Sequence, residues 1–246
     1  CLQVYTQPGQ FNDATRKSMV MILFSMLNYV INRRVERENQ APSPDHLLPF
    51  LQQALPGWIT QFVADLASQS VPLRICVLQV VCLLVHALPR TLYDAKYLHV
   101  LLPAAWQLFV GLQGAWQEGY INQSGHGPQQ VAEIDFNCGT VYLFENILLL
   151  VLEFFHAVLD NKQLGSLMFS SVTETVYVLV SFMQLSQEQL EAYENDEDQF
   201  VIAEQESRYG MASLSVRSSA GKLLTELLSR HGTVSSDGAV IELALK

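Results

Sequence analysis

The sequence predicts an all-α fold, an α-α superhelix of stacked antiparallel helix pairs. Three observations predict it. Apolar residues make up half of the 246 positions and recur mostly at helical spacing. Strand signals are weak: the β-branched residues sit inside those helical runs, and no Asn-Gly or Asp-Gly turn separates two alternating segments. The lone Asp237-Gly238 lies near the end of the chain. Finally, three helical segments open with the same pattern around an arginine.

The elements follow in order. Phe11 to about Glu38 reads as a helix with Asp13 as N-cap, and Arg33, Arg34 and Arg37 complement the dipole of its last turns. Residues 40–45 (QAPSPD) read as a linker, after which Ser43 or Asp45 caps a second helix to about Ser68. Pro56-Gly57 is expected to kink or break that helix. Pro72 suits the first turn of a third helix ending at Pro89, and a fourth covers Lys96 to about Gln117, kinked or started at Pro103. Residues 118–138 carry Gly119, Gly125, Gly127 and Pro128 without periodicity and read as an exposed loop. Thr140–Asp160 is the clearest helix, with Leu143, Ile147, Val151, Phe154 and Val158 in one stripe. Further helices are expected over about 169–184, 187–193 and 211–230, with a second loop near 191–210.

The repeat is the strongest organising signal. Arg16, Arg74 and Arg217 each stand in the first turn of a helix. Each is followed three positions on by an apolar residue (Met19, Val77, Ala220) and then by an apolar pair. A single helix pair cannot bury both of its faces, so such pairs stack. The starts are 58 and then 143 residues apart. HEAT repeats run to about 40–47 residues, so one intermediate repeat and two inserted loops account for the excess. The expectation is one HEAT-repeat stretch over 1–246, of about four helix pairs, cut from a longer chain.

Charge and cysteine usage narrow the class. The net charge is −10, which argues against direct nucleic-acid binding because phosphate contacts need clustered Lys and Arg. Cys1, Cys76, Cys82 and Cys138 form no CxxC pair, and a reduced compartment is the natural reading. Apolar runs at 18–32 and 75–88 are too short to span a bilayer, and 140–159 contains Glu145, Glu153 and His156, so all three read as buried helices rather than membrane spans. The six histidines (46, 86, 99, 126, 156 and 231) show no metal-ligand spacing, and no HExxH, GxSxG or phosphate-binding glycine loop is present. Glu133 and Asp135 have nothing to hold them at catalytic distance. The chain is therefore read as no enzyme, with no catalytic, metal or cofactor residues.

The acidic segment stands out. Residues 188–206 hold eight of the chain's 24 carboxylates, with no Lys or Arg before Arg208. Glu191, Glu194, Asp196, Glu197, Asp198, Glu204 and Glu206 are the candidate protein-binding residues. Two readings stand side by side: a solvated loop that keeps an apolar stack soluble, or a patch that steers basic partners.

Three stretches also carry a resemblance. They are Phe144–Ile147 through Leu152–Leu159, then Met183–Leu190, then Asn195–Val201 leading to Ser215–Ala220. The last is an acidic segment like DPxxFV, with Glu197 where that pattern has proline, followed by a VRxxA helix. Over about Thr140–Leu228 the chain resembles the importin-β (karyopherin) nuclear transport receptors. The resemblance implies a middle section of a HEAT solenoid in an import receptor shuttling between cytoplasm and nucleus. It implies basic protein cargo, histones among the candidates, nucleoporins as partners, and release by Ran-GTP, which is bound mainly through N-terminal repeats outside this stretch. A HEAT or armadillo scaffold outside transport is the alternative.

Overall fold

The structure, a computed structural model, describes residues 12–37, 47–121, 133–135, 140–142, 144–168, 172–185, 187–199, 201–202 and 215–234. The helices are α1 (Asp13–Arg37), α2 (Leu47–Leu66), α3 (Val71–Ala87), α4 (Pro89–Asp94), α5 (Leu98–Trp116), α6 (Phe144–Asp160), α7 (Lys162–Gly165), α8 (Val172–Phe182), α9 (Gln187–Asn195) and α10 (Val216–Val234). The fold is all-α, with helices packed in pairs in the HEAT-like manner. One small departure is an antiparallel ribbon of β1 (Glu133–Asp135) and β2 (Thr140–Tyr142), with Ile134 opposite Val141. It occupies ground expected to be loop and the first turn of the 140–160 helix, and Val141 and Tyr142 are good strand formers.

The chain divides into two compact units, residues 1–108 with 133–142 and residues 109–132 with 143–246. In the first unit α3 is the central element. It packs on α1, α2, α4 and β1, and eleven of its 17 residues are buried. A helix so apolar keeps only a narrow, partly exposed stripe through Arg74, Gln79, Leu83 and His86, so it must be covered from several sides. The four-residue turn 67–70 sends α3 back along α2. Pro72 sits in its first turn, where a missing N–H costs nothing. Pro56 does not break α2, which continues through it to Leu66.

Several helix starts differ from expectation, for local reasons. Asn12, not Asp13, caps α1: its Oδ1 accepts from the Thr15 amide and hydroxyl, both at 2.9 Å. Val20, Leu23 and Leu27 form the inward stripe of α1, while Met19 is half-buried and Ile22 is 49% exposed. Residues 19–24 are an unbroken apolar run, so spacing alone does not select the inward face there. The helix expected from Lys96 begins at Leu98, because Lys96 takes a positive φ of 56° in the turn after α4. Helix α5 continues past Trp116 as a π-helical turn, Gln117–Ile121, in which Tyr120 stacks on Trp116 at 4.1 Å. Leu98–Ile121 is the one described helix long and apolar enough to cross a membrane by length and composition. Leu101, Ala105, Leu108, Phe109, Leu112 and Trp116 along it are buried in the protein.

In the second unit α6 and α10 pack together, and α8 packs on α10. Ile147, Val151, Phe154 and Val158 of the expected stripe are buried, and so are Leu148, Leu152, Phe155 and Leu159. Leu143 lies outside the described residues. Phe109 meets Phe155 edge-on at 5.5 Å and stacks on Phe182 at 4.8 Å, joining the end of α5 to α6 and α8. Asn161 caps the short α7, its Oδ1 accepting from the Gln163 and Leu164 amides. Gly165 closes that turn, where an added Cβ would stand 2.9 Å from the Leu159 carbonyl oxygen.

Gly165→Ala lowers thermal stability by about 1–3 kcal/mol through the clash with backbone. Gly114→Ala, in open space within α5, raises it by about 0.5–1 kcal/mol. Thermal unfolding followed by circular dichroism checks both signs. Arg16 pairs with Asp65, which is fully buried. Arg16→Met removes the cation beside that buried carboxylate and costs about 3 kcal/mol, while R16M/D65L recovers most of the loss. Urea titration of the two variants measures the difference.

Candidate interaction surface

The acidic segment is built on α9 and the residues just after it. Glu191 and Glu194 lie on α9, which extends to Asn195, so the loop expected from 191 begins later. The helix persists because Gln, Glu, Leu and Ala are good helix formers. It stops at Asp196, whose Oδ1 accepts from the Gln199 amide at 3.0 Å and caps a further helical turn. Tyr193 donates its hydroxyl to Glu197 at 2.9 Å, bridging the end of α9 to that turn. Every residue from 191 to 199 is exposed, including Glu191, Glu194, Asp196, Glu197 and Asp198. Glu204 and Glu206 lie outside the described residues. The Glu197 carboxylate, as hydrogen-bond acceptor and negative charge, pushes the Tyr193 phenol up from its ordinary value of 10.0.

The repeat residues occupy the helix starts. Arg16 joins Asp65, from the end of α2, and Asp65 also accepts from Gln61 Nε2 at 3.2 Å. The arginine of one second helix thus meets the turn leading into the next. Arg74 is half-buried, with its Nε lacking a hydrogen-bond partner, and desolvation lowers its pKa. Arg217 is half-buried in the first turn of α10, and Ala220 is fully buried one turn on.

A polar cluster that sequence reasoning did not find lies between α6 and α10. His156 Nδ1 is 3.1 Å from Glu226 Oε2. Arg230 donates to Glu226, to Asp160 at 2.8 Å and to the Leu159 carbonyl, so a cation covers the C-terminal end of α6. His156 pairs with Glu226 and Asp160 with Arg230, both at a separation of 70 residues. A constant offset along both helices means that α6 and α10 run parallel, as second helices of successive repeats do. The polar faces of the two helices were legible separately, but their pairing was not. Among the described residues no group of three or more His, Cys, Asp and Glu could hold a metal ion.

No family model matches the chain. The chain is similar to importin-9 of Drosophila melanogaster, at 22% identity over 230 residues. Those residues are 94% of this chain and span 22% of the length of that relative. The chain resembles the importins. That likeness extends over nearly the whole chain, beyond the third of it that carries the quoted motifs.

The Tyr193–Glu197 bond makes a pH-dependent prediction. Because the folded phenol titrates above 10.0, the bond's contribution is complete below that pH and lost as pH rises through the folded value. Glu197→Gln returns the Tyr193 titration toward 10.0, read from its ¹³Cζ resonance.

Proposed function

We propose that this chain is a segment of a nuclear import receptor that helps bind basic protein cargo, histones among the candidates, under regulation by Ran in its GTP form. The carrying observation is the exposed acidic surface of α9 and residues 196–199, on an all-α stack that resembles the importins. Five carboxylates lie within eight positions there, all exposed. They create a one-signed field that raises the encounter rate with Lys- and Arg-rich surfaces. Ran, engaged mainly by repeats outside this stretch, and nucleoporins complete the reading, which has the protein shuttling between cytoplasm and nucleus. The role is binding rather than catalysis. The second reading is a scaffold outside transport. It is favoured by the contacts of Arg230 with Asp160 and of Glu226 with His156 across α6 and α10, which would serve any rigid solenoid.

Two measurements separate these readings. The transport reading expects the full-length protein to bind GTP-loaded Ran in preference to GDP-loaded Ran, and equal binding overturns it. Replacing Glu191, Glu194, Asp196, Glu197 and Asp198 with Ser weakens binding of a histone dimer by about tenfold at low salt, each exposed pair being worth about 0.2–1 kcal/mol. The loss shrinks as salt rises and the Debye length falls toward ~8 Å. Unchanged affinity returns the segment to a role in solubility.

A further inference from the structure

Helix α1 has two apolar sides. Val20, Leu23 and Leu27 are buried, and α1 packs on α3. Ile22, Ser25 and Tyr29 each stand two positions after one of those residues, about 200° round the helix, so they form the opposite face. Ile22 is 49% exposed and Tyr29 52%, with Met21 and Met26 exposed beside them. Among the described residues, four of the thirteen exposed large apolar side chains fall in these nine positions. The hydroxyls of Ser18 and Ser25 donate to the Ala14 and Met21 carbonyls of their own helix, both at 3.0 Å, which leaves the face with little polar capacity. Single exposed apolar residues are ordinary, but a cluster of this kind marks a contact surface.

The charge on α1 runs against that of the chain. Five of the 14 Lys and Arg residues lie at positions 16–37, and no Asp or Glu occurs between Asp13 and Glu36, while the whole chain carries −10. Arg16 is matched by the buried Asp65, and Lys17 is half-buried. The remaining excess lies at the far end, where Arg33 and Arg37 continue the register of Ile22, Met26 and Tyr29 at steps of three and four. A helix C-terminus carries about half a negative charge, so three arginines exceed what its dipole needs. We propose that this face of α1 receives an acidic amphipathic helix from a partner protein, its apolar side against Met21, Ile22, Met26 and Tyr29 and its carboxylates toward the Arg33–Arg37 end. Charge complementarity selects that occupant, because a basic or neutral helix gains nothing from the arginines. Methionine suits such a surface, since its unbranched thioether side chain adapts to the shape laid on it. A lipid surface is a poorer fit. A helix lying in a bilayer interface sinks its apolar face about 5–10 Å deep, whereas α1 is held on α3 and its outward apolar residues are only partly exposed, among serines. The proposal is independent of the acidic surface on α9, because it concerns the first unit and the opposite sign of charge.

The test uses the intact chain and fluorescent synthetic peptides of equal length, read by anisotropy. One carries Leu at helical spacing with Glu elsewhere, a second replaces each Leu with Gln, and a third replaces each Glu with Gln. The Leu–Glu peptide is expected to bind about tenfold more tightly than either, the effect of burying about 50–60 Å² of apolar surface. In I22S/M26S/Y29S its affinity falls to that of the Leu-free peptide, and in R33Q/R34Q/R37Q to that of the Glu-free peptide at low salt. Absence of binding, or affinity unchanged in either variant, overturns the proposal. So does capture by phosphatidylserine–phosphatidylcholine vesicles that the same substitutions abolish, which assigns the face to a lipid surface. A dimer in sedimentation that Ile22→Ser dissociates also overturns it and assigns the face to a second copy. Should the I22S/M26S/Y29S variant lose helicity, Ile22→Ser alone is expected to weaken the Leu–Glu peptide about threefold, and no change counts against the proposal.

Discussion

A helix that is apolar on several faces has to be covered from several sides, and this constraint governs the chain. Helices α3 and α6 are both of this kind. Leu73, Val77, Leu78, Val80 and Leu84 of α3 are completely removed from solvent, as are Leu148, Val151, Leu152, Phe154 and Val158 of α6. No two-helix hairpin can cover such an element. One neighbour comes from the same helix pair and another from the adjacent pair, and stacking results. Helix α3 meets α2 and α1 in this way, and α10 meets α8 and α6.

Polar groups sit at the edges of those apolar seams. In one unit Arg16 reaches the buried Asp65, and in the other Arg230 gathers Glu226, Asp160 and the end of α6. Buried ion pairs add little net stability, since desolvation offsets much of the attraction. A shifted register, however, would leave the fully buried Asp65 away from its cation. That pair therefore favours one alignment of neighbouring helices among several that the apolar contacts alone would permit. The aromatic trio of Phe109, Phe155 and Phe182 acts toward the same end by shape rather than charge.

With the scaffold set by the seams, the outward surfaces are left for recognition. The acids of α9 and residues 196–199 lie outside the core, where they carry charge without disturbing packing. Their position between α8 and α10, two helices that pack on each other, explains how such a segment is tolerated. Residues 191–199 of the connection between them are all exposed, so their composition is free of core constraints.

Existence and type of the main helices were legible in residues close together in sequence. Ile147, Val151, Phe154 and Val158 announce α6 by spacing alone, and a dense set of carboxylates with no Lys or Arg among them announces an exposed segment, because so many charges cannot be buried together. Short-range rules fell short where several residues competed for one role. Asn12 and Asp13 can both cap a helix, and only the Asn12 side chain reaches Thr15. Six successive apolar residues in α1 leave its inward face undetermined until α3 packs on it. The union of His156 with Glu226 and of Asp160 with Arg230 spans 70 residues. No local periodicity encodes it, because it arises only when two helices, each stable on its own pattern, are brought side by side and in parallel by the packing of their apolar faces.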